Sequence, residues 1–526
     1  MTNESFVRRA AILAAVAFMV RLLGFFYRIP LTNLIGDMGN AYYVLAAQVF
    51  SIAIILQHVA VKTAVVKLTS ERIAKEEYKN AYNLYTTAMG FSVIVGLLFS
   101  FGLFFFSDQI AAAFGLSEAS AAISAVAPGV FFVSVASVIF GYFQGMKTVM
   151  PTAISQIIDQ LFKAVFSVVL AFMLFDPIRI HIPAAAATFG TTIGTFSAFV
   201  VIVAIYIKKR KFIIKVDLKQ TEKRFEQLKK LLLSIMPIYA GVMIFAIANL
   251  VDIRMSTARL LASGVFSTDE VRVLVGQFTG KFVLLTTMPV SVAAALAIAV
   301  LPEISSSQTT FDVKSIKNNA NKALRLSLNF VFPCVVGLAV LAYPILLLLF
   351  PNYPDGGILL QIGSVSMIFM AVFLVTQSVL QGVGYTWLPA FSALVGLIVK
   401  IIINHYLIYN PWINISGVVI STIACFLVAS ILNMVFIKKY VGIFLDIKCA
   451  VKPFISSLVM GFVCLLIYNG LTVFLSSQLV TFISIFSGFA VYFILQIFLK
   501  GIEESEIKIM PLPGKVKRFI LMFLRK

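Results

Sequence analysis

Long apolar runs, each closed by a short polar stretch, follow one another from residue 6 to residue 499 of this 526-residue chain. A helix needs about 20 apolar residues to cross the hydrocarbon layer of a bilayer. Runs of that length predict spans at 6–33, 41–66, 81–107, 122–145, 151–175 and 183–207. After a polar stretch, further spans are predicted at 228–250, 271–303, 319–350, 357–381, 386–409, 414–437, 450–475 and 477–499. Lipid offers no partner to an open backbone, so each span must close its hydrogen bonds internally as a helix. Alternating strands are excluded by runs such as Val200–Ile207, which carry no polar residue at every second position. The expected fold is therefore an all-α integral membrane protein with about 14 transmembrane helices.

An even number of spans puts both termini on one side, and the basic residues choose the side. With the N-terminus inside, 32 of the 42 Lys and Arg residues fall on internal segments. The opposite segments are short and acidic or neutral, as at Asp37, Asp108, Glu118 and Asp355. Positive residues stay in the cytoplasm, which predicts a plasma-membrane protein with both termini cytoplasmic. One missed span would reverse every later segment, so the charge bias also supports the count. The linker 208–227 (KKRKFIIKVDLKQTEKRFEQ) reads as a positive-inside connection against anionic headgroups. The basic tail 500–526 mixes Phe519 to Phe523 with cations, a pattern suited to the membrane surface.

Composition agrees, with 60% hydrophobic and only 12% charged residues, too little charge to cover a soluble surface. The net charge of +20 follows from the internal segments, and no nucleic-acid-binding motif accompanies it. Cys334, Cys425, Cys449 and Cys464 stand singly, in neither a disulfide nor a metal pattern, and His58, His181 and His405 are scattered. No metal or other cofactor is expected. The first apolar run continues into Arg21 and Arg28 without a small-residue cleavage pattern, so it reads as a retained helix.

An internal repeat divides the chain. FQGMKTVMPTAISQIIDQLFK at 143–163 returns as LQGVGYTWLPAFSALVGLIVK at 380–400. Gln144-Gly145 and Lys163 match Gln381-Gly382 and Lys400 at an offset of 237, and Pro151 matches Pro389 at 238. The same offset carries the second and third spans onto the eighth and ninth. Two six-helix lobes of the same orientation follow, at 1–207 and 228–438, with two added helices at 450–499. Paired lobes of this kind enclose a path and move against each other.

Cations sit where lipid would be. Arg21, Arg28, Lys62 and Lys281 fall within or near span interiors and have no acidic partner nearby in sequence. An arginine at the centre of a bilayer costs on the order of 3 kcal/mol on insertion scales. Arg28 can instead reach the outer headgroups and Lys62 the inner ones; Arg21 and Lys281 have no such exit. Together they predict a cavity that favours an anion, and guanidinium groups grip phosphate oxygens. Gln277 stands one turn before Lys281, and Gln156/Gln160 and Gln377/Gln381 repeat that spacing, either as a polar lining or as interhelical hydrogen bonds. Asp159 and Lys163, at i,i+4, read as a structural pair. Pro237, Pro289 and Pro333 lie inside spans and permit bends.

The run R-L-L-G-F-F-Y-R-I-P from Arg21 to Pro30, the repeated Q-G…P, the fourteen spans and Leu301-Pro302 resemble the multidrug/oligosaccharidyl-lipid/polysaccharide (MOP) exporter superfamily. The branch they resemble is that of the MurJ-type lipid II flippases and stage V sporulation protein B proteins of Gram-positive bacteria. The resemblance implies a flippase whose substrate is an anionic polyprenyl-pyrophosphate-linked sugar, moved from the inner to the outer leaflet for cell-wall synthesis. It implies that Arg21 and Arg28 of the first helix line the cavity, with one residue more between them than the family has. It suggests Lys62 and Lys281 as further cationic contacts, and a groove for the lipid tail at 450–499.

The expected function is lipid II translocation by alternating access, by a monomer that makes and breaks no bond. No P-loop is present, so coupling to an ion gradient or to the membrane potential is the expectation. Other polyprenyl-linked saccharides, such as teichoic acid, capsule or spore-wall precursors, fit a similar cavity. A cation-coupled drug exporter would favour intramembrane carboxylates, and a membrane glycosyltransferase would need acidic catalytic groups. The isolation of Asp159 and Glu303 weighs against both.

Overall fold

The computed structural model describes residues 3–213, 224–499 and 501, and these are helical almost throughout. Half of the linker 208–227, residues 214–223, and all but Gly501 of the tail 500–526 lie outside the described residues. The helices are α1 (Asn3–Ile54), α2 (Lys62–Ala74), α3 (Tyr78–Phe105), α4 (Ser107–Ala113), α5 (Ser120–Gly145), α6 (Met150–Met173), α7 (His181–Ile213), α8 (Arg224–Ala262) and α9 (Thr268–Gly276). They continue with α10 (Val283–Thr309), α11 (Val313–Val340), α12 (Ala342–Leu349), α13 (Gly357–Gly363), α14 (Ser366–Gly382), α15 (Trp387–Leu407), α16 (Ser416–Phe436), α17 (Val451–Leu471) and α18 (Ser477–Phe498). Wider π-helical turns at Ile55–Val61 and Gln277–Phe282 join α1 to α2 and α9 to α10.

Among the described residues, eleven helices are long and apolar enough to cross a membrane. They become twelve if α13 and α14, which meet at 45°, form one span. By this measure the count is eleven or twelve, against the expected fourteen. The first two predicted spans run as one 57-residue stretch, and α8 is not among the eleven. The polar segment TNLIGDMGN reads as a loop, but the chain breaks its helix only at Gly36, at φ 68° and ψ −174°. Only glycine takes that conformation without steric cost. Asn40 donates from Nδ2 to the Gly36 carbonyl at 3.0 Å, so the carbonyl freed by the kink is satisfied. Helices α10 and α11 run through Pro289, Pro302 and Pro333 without ending.

Contacts divide the chain into two compact units, Met1–Lys281 with Asn404–Ile415, and Phe282–Ile403 with Ser416–Lys526. In the first, α5 packs on α2, α3 and α7, and α6 on α7 and α1. Its core gathers Ala64, Leu68, Leu84, Ala88, Ile139 and Phe143, spaced four apart along their helices. In the second unit α14 packs on α10, α11 and α16, α10 packs on α11, and α17 on α11 and α18.

The repeat is visible within each unit. Thr148 N donates to Phe143 O and Tyr385 N to Leu380 O, both at 2.9 Å, and Lys147 and Gly384 both take positive φ. A Cβ on Gly145 would stand 2.7 Å from Thr69 near the end of α2, and one on Gly382 would stand 2.8 Å from Ile304 near the end of α10. The same turn and the same close helix crossing thus occur twice, 237 residues apart.

Candidate functional site

Three of the five candidate residues, Lys62, Gln277 and Lys281, lie on or beside a distortion of helix geometry. The Gly36 kink brings Asp37 inward to 4% exposure. Helix α9 and the π turn after it rest on this kink. A Cβ on Gly276 would overlap the Asp37 carbonyl, and one on Gly280 would meet the Asn40 side chain at 2.7 Å. Only residues without side chains permit that approach. Lys281, at 1% exposure, extends its amine to 2.8 Å from the Asp37 carboxylate. Gln277 opens the same turn and is buried. The π turn carries one more residue per hydrogen-bonded ring than an α-helix, a feature common at functional sites.

A second tie holds α9 to α1. Tyr42 donates to Glu118 at 2.6 Å, and Arg272 pairs with Glu118 at 3.2 Å and with Asp269 at 2.9 Å. The Arg272 guanidinium also lies 5.8 Å from the centre of the Tyr42 ring. Helix α9 starts on a capping box in which Ser267 and Glu270 satisfy each other's backbone amides.

Arg21 is exposed on α1 and makes no ion pair with a described residue. Gly24, three residues on, packs on Gln160 of α6. Arg28 is half-buried, its guanidinium 5.5 Å from the centre of the Tyr43 ring, a cation–π contact rather than a carboxylate pair. The Tyr43 and Tyr27 hydroxyls bond at 2.8 Å. Lys62 is half-buried directly after the first π turn, with its carbonyl against Gly141 of α5. One turn earlier, His58 Nδ1 lies 3.4 Å from Ser137 Oγ. His58, Gln156, Asp159 and Thr195 line a small cavity of about 40 Å³ within the first unit.

Three acidic groups read differently in the structure. Asp37 and Asp252, placed by sequence at or beyond the ends of spans, are both buried, and Asp252 accepts from Asn404 Nδ2 at 3.3 Å. Buried acids are therefore less scarce than the sequence suggests. Asp252 lies two residues past the predicted span 228–250, and α8 carries it inward by continuing to Ala262. Asp159 and Lys163 make no ion pair within salt-bridge distance, and the Asp159 Oδ1 atom is buried without a hydrogen-bond partner. Among the described residues no three His, Cys, Asp or Glu side chains are grouped to hold a metal ion.

Comparison with known proteins places this arrangement. Two curated relatives align along most of the chain. Stage V sporulation protein B of Bacillus subtilis (strain 168) is 24% identical over 98% of this chain and 99% of its own length. Lipid II flippase MurJ of the same organism is 23% identical over 90% of this chain and 91% of its own. Among solved structures, a lipid II flippase MurJ in an inward closed conformation superposes with TM-score 0.70 at 20% identity, covering 93% of this chain and 99% of its own. An inward-facing multidrug resistance MATE family transporter of the MOP superfamily superposes at 0.68 with 14% identity, over 81% and 94% of the two chains. The fold is that of a multi-pass, all-α integral membrane protein, shared with these two solved transporters. The family of polysaccharide biosynthesis proteins matches residues 6–308, and this chain belongs to it.

Proposed function

We propose that the protein is a flippase for a polyprenyl-linked saccharide, with lipid II as its substrate. The observation that carries this reading is the pair Arg21 and Arg28 on α1, which have no carboxylate partner among the described residues. Cations held at membrane depth need a compensating anion, and a pyrophosphate offers oxygens that match guanidinium forks. Arg21, Arg28 and Lys62 receive the phosphate and sugar in this proposal. Lys281 belongs to the site through the kink that it fastens, and Gln277 through the π turn that it opens. The relatives described above supply the substrate class.

Fourteen crossings belong to the same proposal. The two arms of α1 about Gly36 count separately, and α8 and the α13–α14 pair join the other long helices. The lobes are then 1–207 and 228–438, joined by 208–227, with 450–499 guiding the isoprenoid tail and 500–526 on the cytoplasmic surface. Both termini are cytoplasmic by the charge rule. Transport proceeds by alternating access in a monomer, with no covalent step, driven by an ion gradient or by the membrane potential.

A second reading, a flippase for a teichoic acid, capsule or spore-wall precursor, is favoured by the stage V sporulation relative. Headgroup-labelled lipid II and a labelled wall teichoic acid precursor, offered to the protein in reconstituted vesicles, separate the two. Lipid II should cross and the teichoic precursor should not. Movement of the teichoic precursor alone would reverse the assignment.

A further inference from the structure

Away from these cations, α3 and residues 224–228 of α8 border an open groove of about 380 Å³ in the first unit. It is lined by Thr86, Thr87, Gly90, Arg224, Phe225 and Leu228. Asn83, Thr87 and Gly90 share one face of α3 by their spacing of four and three. Gly90 is exposed, and a Cβ there would meet nothing within 4 Å. On the opposite wall Arg224 is exposed, opens a helix of 39 residues and makes no ion pair with a described residue. Glu226 is two positions along and therefore leaves toward another side of the helix.

The polar atoms beside the groove have donors to spare. Gln227 is fully buried, with Oε1 accepting from Thr87 at 3.4 Å, while its Nε2 has no partner. Asn83 Nδ2 is buried and equally without one. A guanidinium and surplus donors call for an anion. Exposed Lys208, Lys209, Lys229 and Lys230 add to the same field. Phe225 and Leu228 make the remaining wall apolar, so the occupant needs a hydrocarbon part as well.

We propose that this groove is a binding site for an anionic phospholipid of the bilayer. The phosphate sits at Arg224 and Thr87, and an acyl chain runs past Gly90, Phe225 and Leu228. The site is separate from the proposed transport site and does not rest on that reading.

The test is native mass spectrometry of the purified full chain, titrated with phosphatidylglycerol or with phosphatidylcholine of the same acyl chains. Phosphatidylglycerol should be retained and phosphatidylcholine stripped. Arg224→Gln should weaken retention about tenfold, the scale of one lost charge-assisted hydrogen bond. Gly90→Trp fills the groove from a position with open space and should also displace the lipid, which keeps the test valid if the arginine variant folds poorly. Neutralising Lys438 and Lys439 on the other unit should change nothing. Equal retention of both lipids, undiminished binding in Gly90→Trp, or an equal loss on neutralising Lys438 and Lys439 would overturn the proposal. So would inorganic phosphate alone protecting the protein from thermal unfolding as well as phosphatidylglycerol does.

Discussion

Lys281 reaches across 244 residues of chain to bond the Asp37 carboxylate at 2.8 Å, with both side chains closed off from solvent. Each group would be costly alone in such a place, and together they fasten the π turn after α9 to the kink of α1. The two distortions face each other, and the ion pair joins them. Breaking one partner of a buried pair leaves the other charge uncompensated, which costs about 3–5 kcal/mol.

Lys281→Met is accordingly expected to lower the thermal unfolding temperature sharply. The double variant Lys281→Met/Asp37→Asn, which leaves no buried ion, should recover most of the loss. Unfolding followed in detergent compares the three proteins. Equal stability of wild type and the single variant would mean that other contacts hold α9 to α1.

Glycine positions give a second contrast. At Gly276 an added Cβ would overlap the Asp37 carbonyl, so Gly276→Ala must push α9 away from the kink and separate the ion pair beside it. Overpacking of this kind costs about 1–3 kcal/mol, before any loss of the pair. Gly102→Ala, on α3 with nothing within 4 Å of the new methyl, should be neutral or stabilising by about 0.5–1 kcal/mol. Comparable losses in both variants, measured by thermal unfolding, would show that contact with Asp37 is not the cause.

These features also mark how far the chain can be read without coordinates. Apolar runs placed α3, α5, α6 and α18 within a few residues, because burial in lipid demands length and hydrophobicity whatever the tertiary contacts. The repeat was equally legible, since Gln144-Gly145 and Gln381-Gly382 make the same turn for the same local reasons. The Gly36 segment misled because Gly, Asp and Asn usually mark a loop, whereas here Asn40 caps a carbonyl inside a continuing helix. Asp37 and Lys281 could not be paired from sequence, as nothing local links residues so far apart. Asp159 and Lys163 had the spacing of an ion pair, yet each helical position also has neighbours on other helices, and Gly194 of α7 takes the place beside them.

Outside the membrane, Asp176 caps the turn between α6 and α7, accepting from the amides of Ile178 at 2.9 Å and Arg179 at 3.1 Å. Those bonds favour the ionised carboxylate and hold its pKa below the ordinary 3.8. A depressed folded pKa gives stabilisation that is complete above the unfolded value and fades as pH falls through the folded one. The Ile178 and Arg179 amide resonances should therefore titrate with a midpoint below 3.8, and Asp176→Asn should abolish the transition. A midpoint at or above the ordinary value would mean that the turn does not depend on the ionised form.

The last prediction concerns the two arginines of α1, which differ in their surroundings. Arg21 is exposed and has no ion pair among the described residues, so removing its charge leaves packing almost unchanged. Arg21→Ala should fold, insert and unfold like wild type while lipid II transport in vesicles falls. Loss of one charge-assisted contact to phosphate corresponds to about 10–100-fold in rate if that contact is made in the rate-limiting state. Arg28 lies against Tyr43, so Arg28→Ala removes a cation–π contact as well and should lower both stability and transport. Lysine is the informative replacement at both positions. It keeps the charge but loses the planar two-pronged grip on phosphate. Partial transport by Arg21→Lys, well above the alanine variant and below wild type, is the expected result. Full activity in Arg21→Ala would remove that residue from the site and leave Arg28 and Lys62 as the cations to examine.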